Sequence, residues 1–421
     1  MITTPTDASP FPAAELAVPS VADRLQRRAL FIGIVGLAGC IIGAIINIDQ
    51  FLRSYLLAYM LWLGLSLGCL ALLMLQYLSG GIWGFIIRRP LEAGSRNLPF
   101  MALLFLPLLL GMKRLYPWAQ DGFFARLPTE QEGLWKWQSY LQPHNWIIRA
   151  VIVLLAWNVL ALLLNRWSRR QDDVDEDPAI RNRRYQKLSG PGLIIYAFGI
   201  TFASVDWIMS LSPFWYSTIY GMIFMIGEAL LAFCFVVILL ATFGQYRPLS
   251  GLLVRDHFHD LGKLILMGVL VWSYFSFSQL LIIWSGNLPE EITWYLDRIA
   301  GGWKFVAAAL ILFHFALPFL LLLSRDLKRD GRKLMIVAVW LFIMRFVDLF
   351  WYIEPNFYGH GAQGAHYSWT ALVMDLLVPA AMGGLWLWLF FYQLKARPLF
   401  PLRDHLWEEL LKQQKVHHEH A

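Results

Sequence analysis

The chain is expected to be an all-α integral membrane protein of ten transmembrane helices, and three observations carry that expectation. Of its 421 residues 58% are hydrophobic and only 15% charged, whereas a soluble domain carries about a quarter charged. Apolar stretches of roughly 20 residues, the length a bilayer core demands, recur from end to end. The 20 Trp and 16 Tyr suit aromatic belts at many helix ends.

In order, the spans read as 29–48, 55–79, 98–112, 145–166, 191–211, 216–243, 263–285, 303–324, 334–353 and 369–394, or helices one to ten. Residues 1–28 and 395–421 are read as tails. Helix one is long enough to span and no small-residue cleavage site follows it, so no cleavable signal is expected. Its Gly33, Gly36, Gly39 and Gly43, like Gly80-Gly81 further on, are read as sites of close helix contact. RRPLEAGSRNLP before helix three reads as a loop, and helix three is the shortest span. Residues 166–192 mix basic and acidic clusters and read as a solvated loop. NLPEEITWYLDRIAGG opens with Pro289, Glu290 and Glu291 and closes on Gly301-Gly302. It is expected to form a short helix along the membrane, with Trp294, Tyr295 and Ile299 at the interface.

Lys and Arg fall unevenly: 26 lie in the tails and alternate loops on one side, 7 on the other. By the positive-inside rule both termini are cytoplasmic. The net charge of +6 is spread over these loops rather than gathered in a patch, which argues against nucleic acid as a partner. Cys40, Cys69 and Cys234 all sit in apolar runs without CxxC spacing, so no haem or iron–sulfur site is expected in the chain itself. The His257 and His259 pair and the terminal HHEH have metal-like spacing but read as solvated, and no metal site is expected.

One pattern occurs twice. Val205-Asp206, six residues, then Pro213-x-Trp215-Tyr216 returns 142 residues later as Val347-Asp348, six residues, then Pro355-x-Phe357-Tyr358. Helices two to five then correspond to six to nine. Trp146 matches Trp303, and Gly64 matches Gly227 when Ser54 is laid on Ser217. A shift of four helices preserves direction, so the expected architecture is two same-sense four-helix bundles, 55–211 and 216–353, with helices one and ten outside.

Polar residues inside such spans are expensive and mark function or internal pairing. Asp206 and Asp348 lie seven residues before their prolines, in the outer half of the membrane. Arg345 stands three residues before Asp348, on one helix face, as a structural pair or a functional one. Asp206 has no evident local partner, and Arg149 reads as snorkelling to the outer interface. Asp375 lies in the outer part of helix ten. Glu228 and His314 fall near the middles of helices six and eight, and Glu228 corresponds to Leu65 in the first repeat. Tyr274, Ser276, Ser278 and Gln279 add polar groups to helix seven. Together these residues read either as a proton path from the membrane centre to its outer face or as packing polarity.

SVDWIMSLSPFWYSTIYG, VWSYFSFSQLLIIWSGNLPEEITWYL, LFHFALPFLLLLSRDLKR, FVDLFWYIEPNF and RRPLEAGSRNLP resemble one family of membrane proteins, the second of the two related quinone-binding-type components of bacterial alternative complex III. That family is related to the polysulfide-reductase (NrfD-type) membrane anchors. The resemblance runs from helix one to helix ten and leaves out the tails. It implies two four-helix bundles plus two helices, in a quinol:cytochrome c or other periplasmic-acceptor oxidoreductase of a respiratory or photosynthetic chain in the bacterial inner membrane. Implied partners are a sister NrfD-type subunit credited with quinol oxidation, an iron–sulfur subunit, a pentahaem cytochrome and a terminal oxidase. Haem c and iron–sulfur clusters would belong to the partners, quinone or quinol being the one ligand open to this subunit, which is not expected to be catalytic alone. A proton-coupled secondary transporter and a purely structural anchor are the alternative readings.

A cytoplasm-active reporter fused after Ala421 is expected to be active, and a periplasm-only reporter silent. The reverse result would refute the assigned topology.

Overall fold

The computed structural model describes residues 9–126, 139–174, 176–358 and 367–419, with side chains up to 414 in the last segment. The terminal HHEH therefore lies outside the described side chains. Among the described residues, 10 helices are long and apolar enough to cross a membrane, and no β-strand forms. They are α1 (Val21–Ile46), α2 (Ile48–Ser79), α3 (Ile82–Leu110, in three consecutive pieces), α4 (Pro143–Asp173), α5 (Pro178–Trp207), α6 (Tyr220–Phe243), α7 (Arg255–Gly286), α8 (Trp303–Leu323), α9 (Gly331–Ile353) and α10 (Trp369–Lys395). The protein is an all-α, multi-pass membrane protein.

The helices outrun the apolar stretches because their polar ends stay helical. Asn47 alone separates α1 from α2: its backbone is extended, and its side chain accepts from the Gln50 N–H at 3.0 Å, capping α2. Gly80 and Gly81 turn the chain from α2 into α3 with φ of +68° and +92°. Left-handed backbone, and not helix contact as expected, is what these two glycines provide. The glycines of α1 do serve contact. A Cβ on Gly36 would lie 2.6 Å from the Ala381 Cβ of α10, and one on Gly33 would lie 2.9 Å from the Leu385 nitrogen.

The central post is α2, whose most apolar 18-residue stretch is wholly buried. It touches α1, α3, α5, α6, α9 and α10. In the first half α2 packs on α3 and α5, and α4 on α3 and α5. In the second, α6 packs on α7 and α9, and α8 on α7 and α9. The two quartets meet where α2 crosses α6.

Two expected loops are in fact helical, the first buried and the second buried along one face only. RRPLEAGS belongs to the first, completely helical piece of α3 (Ile82–Ser95), and Arg88, Arg89 and Glu92 are each at most 3% exposed. Arg89 donates to Glu92 at 2.7 Å, to Ser168 at 2.9 Å and to Asp172 at 2.6 Å, while Arg397 reaches Glu92 at 3.1 Å. The 166–192 segment, expected to be solvated, extends α4 to Asp173 and starts α5 at Pro178, with Ser168, Gln171, Arg181 and Tyr185 buried. The buried charges, Arg88, Arg89 and Glu92, form an internal ionic network, because facing helices supply the counter-charges that make burial tolerable.

The tails are likewise part of the fold. Leu399 N–H donates to the Leu16 carbonyl at 2.8 Å, and Ser9 N–H to the Leu402 carbonyl at 2.6 Å. The last helix, Leu406–Glu419, buries Trp407 beside Phe85 and Phe400. His257, expected in a solvated loop, is buried in the first turn of α7 and faces Gln413 of that last helix at 3.0 Å.

The connecting helix Pro289–Ile299 forms as expected, but Trp294 and Tyr295 are buried rather than interfacial. Trp294 stacks on Trp215 at 4.4 Å and lies under the Arg298 guanidinium at 3.5 Å. Trp215, an aromatic of the repeated pattern, is thus packed under this helix, whereas Ile299 stays 51% exposed.

Asp404, which fastens the C-terminal segment, is buried and paired with Arg88 at 2.5 Å. Burial alone would raise its carboxyl, but the Arg88 guanidinium, with His405 and the Leu406 N–H, holds it below the usual carboxylate range. This fastening is complete above the unfolded pKa of about 4 and is lost as pH falls through the lower folded value. Asp404→Asn should cost about 3–5 kcal/mol by leaving Arg88 buried without a counter-charge. Limited proteolysis of the C-terminal segment, near neutral pH for the variant and on acidification for the parent, checks both.

Candidate functional site

The repeated aspartates do not share one environment. Asp206, near the end of α5, is held from two sides by Arg149 of α4: Nε at 2.7 Å and Nη2 at 3.0 Å. Arg149 does not snorkel. It turns inward under the Tyr140 ring, 3.8 Å away, and is 19% exposed at its side chain. The expectation that Asp206 lacks a partner is thereby corrected. The pair joins residues 57 apart in sequence, so only the packing of α4 on α5 reveals it.

Asp348 is paired within its own helix. Arg345, one turn earlier, donates to Oδ2, and the Trp272 indole N–H of α7 reaches the same oxygen at 3.2 Å. The second oxygen, Oδ1, is buried and has no hydrogen-bond partner. The Arg345 guanidinium fits only because position 227 of α6 is glycine. A Cβ there would collide with the guanidinium carbon.

Glu228 follows Gly227 and turns the other way. It accepts from the Tyr196 hydroxyl of α5 at 2.7 Å and packs on Gly64 of α2. A Cβ on Gly68 would collide with the Glu228 carbonyl oxygen, so this glycine sets how closely α2 and α6 approach. The carboxyl thus sits where the two quartets of helices meet.

His314 lies on the far side of Asp348. Pro318 offers no N–H to the His314 carbonyl four residues back, and its ring crowds that oxygen. Over Leu310–Ala316 the helix widens to π geometry, a feature common at functional sites. The fully buried imidazole packs at a 30° tilt against Trp272, centroids 4.0 Å apart, and neither ring nitrogen has a hydrogen-bond partner. No hydrogen bond joins Glu228 to His314 among the described residues. Arg345 stands between them, within electrostatic reach of both.

Beside this group is a cavity of about 680 Å³ between α7, the connecting helix, α8 and α9. Its wall is aromatic and aliphatic, with Trp272, Tyr295, Phe315, Trp351 and Tyr352, and Asp348 contributes to it. Exposed Tyr274, Phe277 and Ile311 flank its mouth, which therefore faces lipid. Ser273 and Ser276 are wall residues; Ser278 and Gln279 are not, and Gln279 is buried next to Tyr295. An apolar cleft of this size with few convergent polar groups suits a small amphiphile.

Asp375 belongs to a third group. Ser54 donates to it at 2.5 Å, Tyr367 at 2.7 Å and Gln50 at 3.4 Å, while Tyr358 donates to Gln50. Glu354, the residue that caps the C-terminus of α9, stands nearby, fully buried, with both carboxyl oxygens lacking a hydrogen-bond partner. Sequence reading passed over Glu354 because Glu-Pro at a helix end reads as an exposed terminus. Its position inside the repeated pattern was the available signal. The charged sequence candidates therefore fall into three groups: Asp206 with Arg149; Asp375, which the structure sets near Glu354; and Glu228 with Arg345, Asp348 and His314.

Comparison with protein-family models finds no match, and comparison with curated proteins finds none.

Gly68→Ala should force α2 and α6 apart, since the obstruction is backbone, and cost about 1–3 kcal/mol, the usual cost of overpacking. Gly190→Ala, where nothing lies within 4 Å of the added Cβ, should cost at most the few tenths expected of a surface change. Thermal unfolding of both variants in detergent tests the difference.

Proposed function

We propose that this chain is the cofactor-free membrane subunit of a quinol-oxidising electron-transfer complex in a bacterial inner membrane. In this reading its own contribution is the movement of protons between a lipid-facing cavity and the helix core. The observation that carries the reading is Asp348: one oxygen is tied by Arg345 and Trp272, and the other is unpartnered beside an aromatic cavity. A quinol ring in such a cavity would find aromatic faces to stack on and a carboxylate to take its proton. Arg345 then links this carboxylate electrostatically to the Glu228–Tyr196 pair, one step nearer the junction with the first four helices.

The resemblance to the alternative complex III family supplies the proposed partners: a sister NrfD-type subunit, an iron–sulfur subunit and a pentahaem cytochrome, with electrons passing to a periplasmic carrier or a terminal oxidase. Both termini would face the cytoplasm, as the distribution of Lys and Arg argues. A secondary transporter of repeat design would place broken helices at matching positions. Here α3 is broken, whereas α7, its counterpart in the repeat, runs unbroken over Arg255–Gly286.

Glu228→Gln keeps shape and removes the exchangeable proton, so it should leave assembly intact and lower coupled proton release by at least tenfold. His314→Phe keeps the ring contact with Trp272, removes the imidazole nitrogens and should act in the same direction. Quinol oxidation and proton release by reconstituted complexes provide the measurement. Full turnover with unchanged proton stoichiometry in both variants and in the double variant would reduce the cluster to packing.

A further inference from the structure

A second cleft, of about 560 Å³, lies far from this site, on the outer surface of the α4–α5 hairpin at the end of the molecule that carries the termini. Its floor is Trp167 of α4; the rest of its lining comes from α5, as Ile180, Arg183, Arg184, Lys187 and Leu188. Spacings of three, four, seven and eight residues put these α5 side chains on one helical face. The cations are not equivalent. Arg184 lies 5.3 Å over the Trp167 ring and is neutralised by Glu176 at 2.8 and 3.0 Å. Arg183 and Lys187, one turn apart and both exposed, have no ion-pair partner among the described residues.

Polarity changes abruptly along the same surface. Toward the membrane centre from Lys187 come exposed Ile194, Ile195 and Phe198 on α5, with exposed Leu162 facing lipid on α4. A ligand filling the cleft and continuing along this surface must therefore be anionic at one end and hydrocarbon at the other. Trp167 stands at the changeover, where indole rings favour the headgroup level.

We propose that the cleft holds the phosphodiester headgroup of an anionic glycerophospholipid from the leaflet on the terminal side, with its acyl chains lying along α4 and α5. Arg183 and Lys187 supply the charge, and Trp167, held by Arg184, supplies the apolar base. The inference does not depend on the proposed electron-transfer role. A free phosphate would use the two cations and ignore the hydrocarbon surface, and a zwitterionic lipid would do the opposite.

The test is native mass spectrometry of the full chain, delipidated in detergent and titrated with phosphatidylglycerol or with phosphatidylcholine of identical acyl chains. Thermal unfolding with each lipid or with inorganic phosphate runs in parallel. Phosphatidylglycerol should bind at least tenfold more tightly than phosphatidylcholine and raise the unfolding temperature, and inorganic phosphate should do neither. Arg183→Gln/Lys187→Gln should weaken phosphatidylglycerol binding roughly tenfold or more, as expected when two near-surface cations are lost. Arg325→Gln/Arg332→Gln removes equal charge from exposed positions on the same side, one between α8 and α9 and one in the first turn of α9, and should leave binding unchanged. For the parent protein, raising salt should erode the preference for phosphatidylglycerol. Equal binding of the two lipids, an equal shift with inorganic phosphate, equal losses in both double variants, no loss in Arg183→Gln/Lys187→Gln or a salt-insensitive preference would each overturn the proposal.

Discussion

Taking a guanidinium or a carboxylate out of water costs several kcal/mol per ion even after the surroundings relax, and much of this architecture follows from how that cost is met. Arg89 shows how it is met. It is 2% exposed and is surrounded by Glu92 of its own helix and by Ser168 and Asp172 of α4. Asp172 in turn accepts from the Leu402 N–H, and Glu92 accepts from Arg397. One buried cation therefore ties together α3, α4 and the segment after α10. Arg88 repeats the arrangement with Asp404. The terminal end of the molecule is thus locked by buried ions as well as by the apolar packing of Phe400 and Trp407.

The opposite half follows the same rule with an informative difference. Asp206 is fully paired by Arg149, whereas Asp348 keeps one oxygen free beside a cavity. Two positions equivalent in the repeated pattern have thus diverged in environment, one carboxylate bonded through both oxygens and the other through one. Glycine enabled the divergence. Gly227 admits the Arg345 guanidinium, and Gly64 and Gly68 let α2 approach α6 closely enough to enclose Glu228. His314 and Glu354 are the counter-examples, buried without hydrogen-bond partners. Groups left so in a low-dielectric interior mark places where the fold tolerates cost.

The number and course of the membrane helices were legible in the sequence because a bilayer imposes a length and a polarity that any 20-residue window reveals. The glycine stripe of α1 was legible for a similar reason: its spacing follows from helix geometry alone. Arg345 with Asp348 could be paired on paper, being three residues apart on one helix. What the sequence could not decide was every relation across helices. Whether Arg149 snorkels or turns to Asp206, whether Arg88 and Arg89 lie in a loop or in the core, and whether residues 395–414 hang free or close the terminal face depend on which surfaces meet. A charged residue at a span's end has two low-energy fates, water or a partner. Local sequence is nearly the same for both, and only the tertiary arrangement supplies the counter-charge that selects one.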